Sequence, residues 1–113
     1  MIDLNRLSAA ISTWRDRNFP TPVSSHWEPL IGMQEELGEL AHYNLKARQG
    51  IRPPAPGSEE DAIGDILIFL LHYCAMRRIN VEQTLVETWR RVSLRDWTKF
   101  PKNGLPETPN VDV

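Results

Sequence analysis

Apolar side chains recur every three or four residues in three segments of the chain, which is the pattern of amphipathic helices. These stripes consist of Leu4, Leu7, Ile11 and Trp14; of Leu30, Met33, Leu37, Leu40 and Ala41; and of Val81, Leu85, Trp89 and Val92, while residues 62–71 form a nearly continuous apolar run. Most of the prolines fall between or beyond these stripes, where a fixed φ and a missing N–H end a helix. We therefore expect an all-α fold with helices over about 3–18, 25–49, 58–78 and 81–97, and the last stripe should face inward.

Polar residues and glycine mark the predicted ends of the two middle helices. Ser24 and Ser25 are candidate N-caps of the second helix, and Gly50 is its C-terminal stop. Ser58 should cap the third helix, because Asp61 stands three positions later and the two resemble a capping box. The segment between these helices reads IRPPAPGS, and its three prolines predict a stiff loop.

The composition is that of one globular domain. The chain has 113 residues, of which 41% are hydrophobic, and a net charge of −2. We expect a single domain over 1–100 followed by a Pro-rich tail over 101–113. The single cysteine excludes a disulfide framework and a multi-cysteine zinc site. With three scattered histidines, a bound metal would need oxygen ligands.

The distribution of charge and hydrophobicity narrows the possible partners. Acids outnumber bases up to residue 65 and bases outnumber acids after it, without a strongly basic patch, so nucleic-acid binding is not expected. The longest apolar run, 66–71, is far shorter than a membrane-spanning helix, and the first residues do not form a secretory signal. We expect a cytoplasmic protein that does not bind membranes.

Three glutamates share one side of the second predicted helix. Glu35, Glu36 and Glu39 are three or four residues apart, and no lysine or arginine lies within one turn of them. A solvated acidic face is the ordinary interpretation of such a group. However, like charges at this spacing repel by a few tenths of a kcal/mol per pair, so the cluster favours a bound cation.

The third predicted helix contains an acid in an unusual place. Asp65 interrupts an otherwise apolar run over 62–71, and Asp61 lies one turn before it. Burying an unpaired carboxylate costs several kcal/mol, so Asp65 needs a partner. One possibility is an ion pair with Arg90, Arg91 or Arg95. The other is that two antiparallel helices pool Glu35, Glu36, Glu39, Asp61 and Asp65 around Mg²⁺, which prefers oxygen ligands.

These acids resemble the signature of the MazG-like all-α nucleoside triphosphate pyrophosphohydrolases, which is E-E-x-x-E followed after a loop by E-x-x-D. Glu35, Glu36 and Glu39 match the first half, and Asp65 matches the end of the second. Ala62 stands where the pattern has glutamate, and Asp61, one position earlier, is the candidate replacement. The resemblance spans about 14–104 and includes the flanks WRDRNF and RDWTKFPKNG.

The resemblance implies hydrolysis of a nucleoside triphosphate to the monophosphate and pyrophosphate by a four-helix bundle. Glu36, Glu39 and Asp65, with Asp61, would hold Mg²⁺, for which Mn²⁺ is a possible substitute. Either Glu35 or Asp61 would take the proton from the attacking water. Because the third helix is apolar on most sides, the bundle should be completed by a homodimer or homotetramer.

Two further groups are candidates for binding the substrate. Arg91, Arg95 and Lys99 could bind phosphates, although Arg91 could instead pair with Glu87 at i,i+4. The aromatic residues before the acidic helix could stack on a base, although a tryptophan at helical spacing is more often a core residue. These residues are Trp14, Phe19, His26 and Trp27.

Two other functions compete with this hypothesis. A helical module that binds nucleotide or metal and oligomerises without catalysis is favoured by Ala62 and opposed by the four retained acids. A phosphoribosyl-ATP pyrophosphatase is the alternative within the enzymes, although the aromatic N-terminal flank fits a free nucleotide better.

Overall fold

The structure is a computed structural model that describes residues 1–20 and 25–107. These residues form four helices and no strand, which confirms the all-α class. The helices are α1 (Leu4–Asn18), α2 (Trp27–Arg48), α3 (Ser58–Met76) and α4 (Val81–Val92). None of the described helices is both long enough and apolar enough to cross a membrane. The chain divides into two compact units, Met1–Val81 and Glu82–Val113, and the boundary expected at residue 100 stays a prediction.

Helices α1 and α2 begin close to the predicted positions. Asp3 caps α1, and its side chain accepts a hydrogen bond from the Arg6 N–H at 3.1 Å. The N-cap of α2 is His26, one residue after the expected Ser25, and it makes no side-chain capping bond. Ser24 lies outside the described residues. Ser25 is therefore not the N-cap of α2.

The start of α3 corrects the capping prediction. Gly57 is the N-cap, with a φ of +82° that favours glycine, and Ser58 is already the first helical residue. The Ser58 hydroxyl donates to the Ala55 carbonyl at 2.7 Å. Because that hydroxyl bonds backward to the proline-rich loop, it does not cap the first turn.

In the first unit, α3 packs against both α1 and α2. Few of the described residues are buried, and several of those are polar or small. The buried residues of this unit include Ser8, Ser25, Pro29, Ala62, Leu71, His72 and Cys74. The Ser8 hydroxyl of α1 donates to the Leu71 carbonyl of α3, so the two helices are joined by a buried hydrogen bond as well as by packing.

Much of the apolar surface of α3 stays exposed in the single chain. Ile63, Leu67, Ile68 and Leu70 are between 37% and 51% exposed. On α1, Ala10, Ile11 and Trp14 line a shallow apolar groove together with Ile68. One chain therefore does not cover its most hydrophobic helix.

The second unit departs from the predicted fourth helix, which ends at Val92 rather than Trp97. Asp96 accepts hydrogen bonds from the Thr98 and Lys99 N–H groups, and this turn replaces the helix. The chain then folds back, because the Asp96 N–H donates to the carbonyl of the buried Gly104 at 2.8 Å.

The apolar stripe of α4 does not face inward as predicted. Leu85, Trp89 and Val92 are between 46% and 64% exposed.

Candidate functional site

The antiparallel register of α2 and α3 positions the predicted acids. Gly32 of α2 lies against the ring of Phe69 of α3, and Glu36 lies near enough to Asp65 for that charge to raise its pKa. Glu36 follows Gly32 by four residues on α2, and Asp65 precedes Phe69 by four residues on α3. The two contacts are therefore about one helical turn apart. The acidic segment of α2 therefore runs past Asp65.

Glu36 is the centre of this carboxylate cluster, which consists of Glu35, Glu36, Glu39 and Asp65. Burial raises the pKa of Glu36, and the negative charges of Glu39, Asp65 and Glu35 raise it further. A hydrogen bond between the side chains of Glu36 and Glu39 adds to the same effect. Of the four other acids that were expected to pool with Glu36, three therefore act on its pKa through their charges.

Asp61 is the acid that does not join the cluster. It lies in the exposed first turn of α3 with Glu59 and Glu60, where acids interact favourably with the helix dipole. Its charge is not among those that act on Glu36.

The neighbouring Ala62 belongs to the protein interior, with only 3% of its surface exposed. The position where the family pattern has glutamate is therefore a core position in this chain.

Asp65 is exposed, so the expectation of a buried and desolvated carboxylate is wrong for this chain. The physical reason is the incomplete covering of α3. The apolar residues around Asp65 in the sequence, including Ile63, Leu67 and Ile68, are themselves at least 40% exposed. The side chain can therefore keep its hydration without an ion pair.

The donor set of the carboxylate cluster fits a hard cation. Its four side chains offer only oxygen, and their mutual repulsion falls when a cation binds among them. Within residues 1–20 and 25–107, no three acidic, histidine or cysteine side chains converge as a metal-ligand group.

The expected base-binding residues divide into separate contacts. Trp14 and Phe19 form an edge-to-face pair with ring centroids 5.9 Å apart. His26 instead lies beside Tyr73 of α3, with centroids 6.5 Å apart. Trp27 is 53% exposed at the start of α2. Among the described base-binding candidates, Trp14 and Phe19 are thus the two whose rings contact each other.

Sequence reasoning missed Arg15 and Phe69, which adjoin that aromatic pair. The Arg15 Cζ atom lies 5.0 Å from the Phe19 ring centroid and 5.1 Å from that of Phe69. The available signal was the spacing of Phe69, four residues after Asp65 and thus on the same face of α3.

The predicted phosphate-binding residues all belong to the second unit. Arg91 lines a shallow hollow with Glu87, Arg90 and Leu94. Arg95 lies over the ring of Trp97, with 5.9 Å between its Cζ atom and the ring centroid. The Lys99 N–H donates to Asp96.

Glu87, the residue considered as an ion-pair partner of Arg91, makes a different contact. The Glu87 carboxylate accepts a hydrogen bond from Gln83 at 3.1 Å, and within the described part of this unit it forms no ion pair with Arg91. The cationic group of Arg91 is therefore not held by the i,i+4 pair that was considered.

Comparisons with known proteins found no match to this chain among protein-family profiles, curated proteins or solved structures. The family resemblance rests on the acidic motif and its flanks, and it stays a prediction.

Proposed function

We propose that this protein is a Mg²⁺-dependent hydrolase that converts a nucleoside triphosphate to the monophosphate and pyrophosphate. The observation that supports the proposal is the carboxylate cluster, in which the charges of Glu35 and Glu39 of α2 and of Asp65 of α3 act on Glu36. Acids that destabilise one another in the free protein are expected where a cation and a polyphosphate bind. Such a reaction would serve nucleotide pool sanitation or control in the cytoplasm.

Each acid of the cluster has a role in this proposal. Glu36, Glu39 and Asp65 would hold Mg²⁺, or Mn²⁺ as a substitute, and the bound ion would neutralise phosphate oxygens and acidify water. Glu35 is the better supported proton acceptor for the attacking water, because its charge reaches Glu36. Asp61 lies outside the cluster and is the weaker candidate for both roles.

Binding of the nucleotide rests on aromatic and basic side chains. Trp14 and Phe19 offer two adjacent rings for a base. Arg91, Arg95 and Lys99 of the second unit are proposed phosphate ligands.

A second copy of the chain is the proposed partner, as a homodimer or homotetramer. The exposed apolar surface of α3 supports this proposal, because a partner there would remove Ile63, Leu67 and Leu70 from water.

A non-catalytic helical module is the second candidate, and the burial of Ala62 favours it. Ala62 stands in the core at the position where the family pattern has glutamate. The chain therefore lacks one acid of that pattern. Such a module would bind a nucleotide with Mg²⁺ and release no pyrophosphate.

Incubation with a panel of triphosphates and Mg²⁺ tests the proposal, with released pyrophosphate as the readout. The panel contains canonical and damaged nucleoside triphosphates together with phosphoribosyl-ATP. We expect one nucleoside triphosphate to be hydrolysed, the Asp65→Asn variant to lose activity by orders of magnitude, and Glu60→Gln to retain it. Glu60→Gln is the matched control because it removes one exposed acid from the same helix. Binding of nucleotide without pyrophosphate release would favour the non-catalytic module, and selective hydrolysis of phosphoribosyl-ATP would contradict the substrate class.

A further inference from the structure

Arg15, in the last turn of α1, is held by aromatic rings. Its guanidinium carbon lies about equally far from the centroids of Phe19 and Phe69, at 5.0 Å and 5.1 Å. Cation–π contacts of this kind attract the charged group to the ring while leaving its N–H donors available. Arg15 is half-buried, so the side chain has a defined position at the junction of α1 and α3.

The donors of Arg15 have no acceptor within the described parts of the chain. A guanidinium carries five N–H donors in a planar fork, and here neither a hydrogen bond nor an ion pair engages them. An arginine held by two rings has already lost much of its rotational freedom. It can therefore bind an anion with a smaller entropic penalty than a mobile surface arginine.

The position of Arg15 relative to the carboxylate cluster follows from Phe69. The ring that contacts Arg15 also packs against Gly32, and this contact lies one turn along both α2 and α3 from Glu36 and Asp65. Arg15 and the cluster thus lie in the same unit, and the ring of Phe69 links the contact with Arg15 to the turn of α2 that precedes Glu36.

We propose that the Arg15 guanidinium binds phosphate oxygens of the substrate's polyphosphate chain beside the carboxylate cluster. The inference rests on the proposed function for the identity of the substrate, but the anion site itself can be tested alone. Arginine recognises phosphate by two parallel N–H···O bonds, and a cation bound at the cluster would attract the same polyphosphate from the other side. Arg15 thus differs from the basic candidates of the second unit, because it belongs to the same unit as the cluster and the ring of Phe69 holds its side chain.

Calorimetric titration with inorganic pyrophosphate, with and without Mg²⁺, tests the site. We expect Arg15→Gln to weaken pyrophosphate binding by at least about tenfold, because charge-assisted hydrogen bonds are lost. Arg15→Lys should bind with intermediate affinity, since it keeps the charge and loses the fork. Arg17→Gln is the matched control: it removes the same charge two residues away, on a different side of α1, and should bind like the wild type. Equal affinities of Arg15→Gln and the wild type, no binding by the wild type, or equal weakening by Arg17→Gln would overturn the proposal.

A hydrolysis assay and the Arg15→Lys variant distinguish a failure of this inference from a failure of the proposed function and from misfolding. If no triphosphate is hydrolysed while pyrophosphate binding still depends on Arg15, the proposed function fails and the anion site stands. If a triphosphate is hydrolysed and Arg15→Gln changes neither its KM nor the pyrophosphate affinity, the anion site fails and the function stands. Should Arg15→Gln not fold, Arg15→Lys decides: weaker binding supports the site, and unchanged binding overturns it.

Discussion

The ring of Phe69 occupies the space that a Cβ atom on Gly32 would need. Its Cε1 atom lies only 2.5 Å from that position, closer than real Cβ contacts allow. Helices α2 and α3 can therefore approach each other here only because residue 32 has no side chain. This close approach fixes the register that brings Glu36 beside Asp65.

Replacing Gly32 with alanine should destabilise the fold relative to the same change at Gly38. Both substitutions gain helix propensity of up to about 1 kcal/mol. At Gly38 nothing lies within 4 Å of the new Cβ, whereas at Gly32 the ring must move. Overpacking of this kind costs about 1 to 3 kcal/mol, so the free energy of unfolding of Gly32→Ala should be lower by about that amount in urea denaturation. Equal stabilities of the two variants would contradict the close packing.

Asp65→Asn should separate a metal ligand from a structural acid. The metal-free variant should melt no lower than the wild type, because the charge that raises the pKa of Glu36 has been removed. Added Mg²⁺ should raise the melting temperature of the wild type and do much less for the variant. Thermal melts with and without Mg²⁺ measure both effects, with Glu60→Gln as the control.

The opposite pattern would disprove the role of Asp65 as a metal ligand. If Asp65 is instead only a solvated surface acid, the variant and the wild type should respond equally to Mg²⁺.

The proposed reaction also predicts which product contains the oxygen atom of the attacking water. Attack of water at the α phosphorus transfers its oxygen to the monophosphate, and the bond to pyrophosphate breaks. In ¹⁸O-labelled water, mass spectrometry should therefore find the label in the monophosphate. A label in pyrophosphate would mean attack at the β phosphorus and a different reaction.

The exposed apolar surface of α3 predicts an obligate homo-oligomer. An interface of this character should bury more than about 2,000 Å², and light scattering at micromolar concentration should give at least the mass of a dimer. Leu67→Lys should dissociate it. Leu45→Lys on α2, where the leucine is equally exposed at 51%, should not. A wild-type monomer at this concentration would contradict the interface.

The stability of the protein should fall as the pH is lowered below neutral, because of His72. Burial lowers the pKa of His72, and the charge of Arg15 lowers it further, while Asp16 and Glu28 act in the opposite direction. Only 7% of this residue is exposed, and its Nδ1 atom has no hydrogen-bond partner within the described residues. The unfolded chain therefore binds a proton more readily than the folded one, and stability is lost as the pH falls from about 6.5, the ordinary pKa of histidine, through the lowered folded pKa.

Urea denaturation at a series of pH values measures this dependence. In His72→Gln the loss of stability over that range should be smaller, whereas His42→Gln, at an exposed position on α2, should keep it. The same dependence in His72→Gln and the wild type would show that another group is responsible.

The sequence predicted the features that depend on local periodicity and missed those that depend on register. The spacing of Glu35, Glu36 and Glu39 was enough to predict that their charges interact, and the charge of Asp65 also acts on Glu36. The contact between Arg15 and Phe69 could not be derived, because it requires knowing which turn of α3 lies opposite α1.

Turn chemistry accounts for the errors at helix ends. The helix predicted to continue to Trp97 ends at Val92, because the Asp96 side chain binds the N–H groups of Thr98 and Lys99. A side chain that competes for the backbone in this way is not visible in a hydrophobic pattern.

The ring of Phe69 contacts residues of both neighbouring helices, and these contacts link ligand binding at Arg15 to the conformational stability of the first unit. One face of the packing involves Gly32 of α2, and another holds Arg15 of α1. A ligand that binds Arg15 in the folded state would therefore also stabilise the junction of the three helices. By the same coupling free energy, any change that loosens the junction would weaken binding of the ligand. The protein would then be least resistant to proteolysis when its substrate is absent, so its lifetime in a cell would depend on the concentration of the molecule on which it acts.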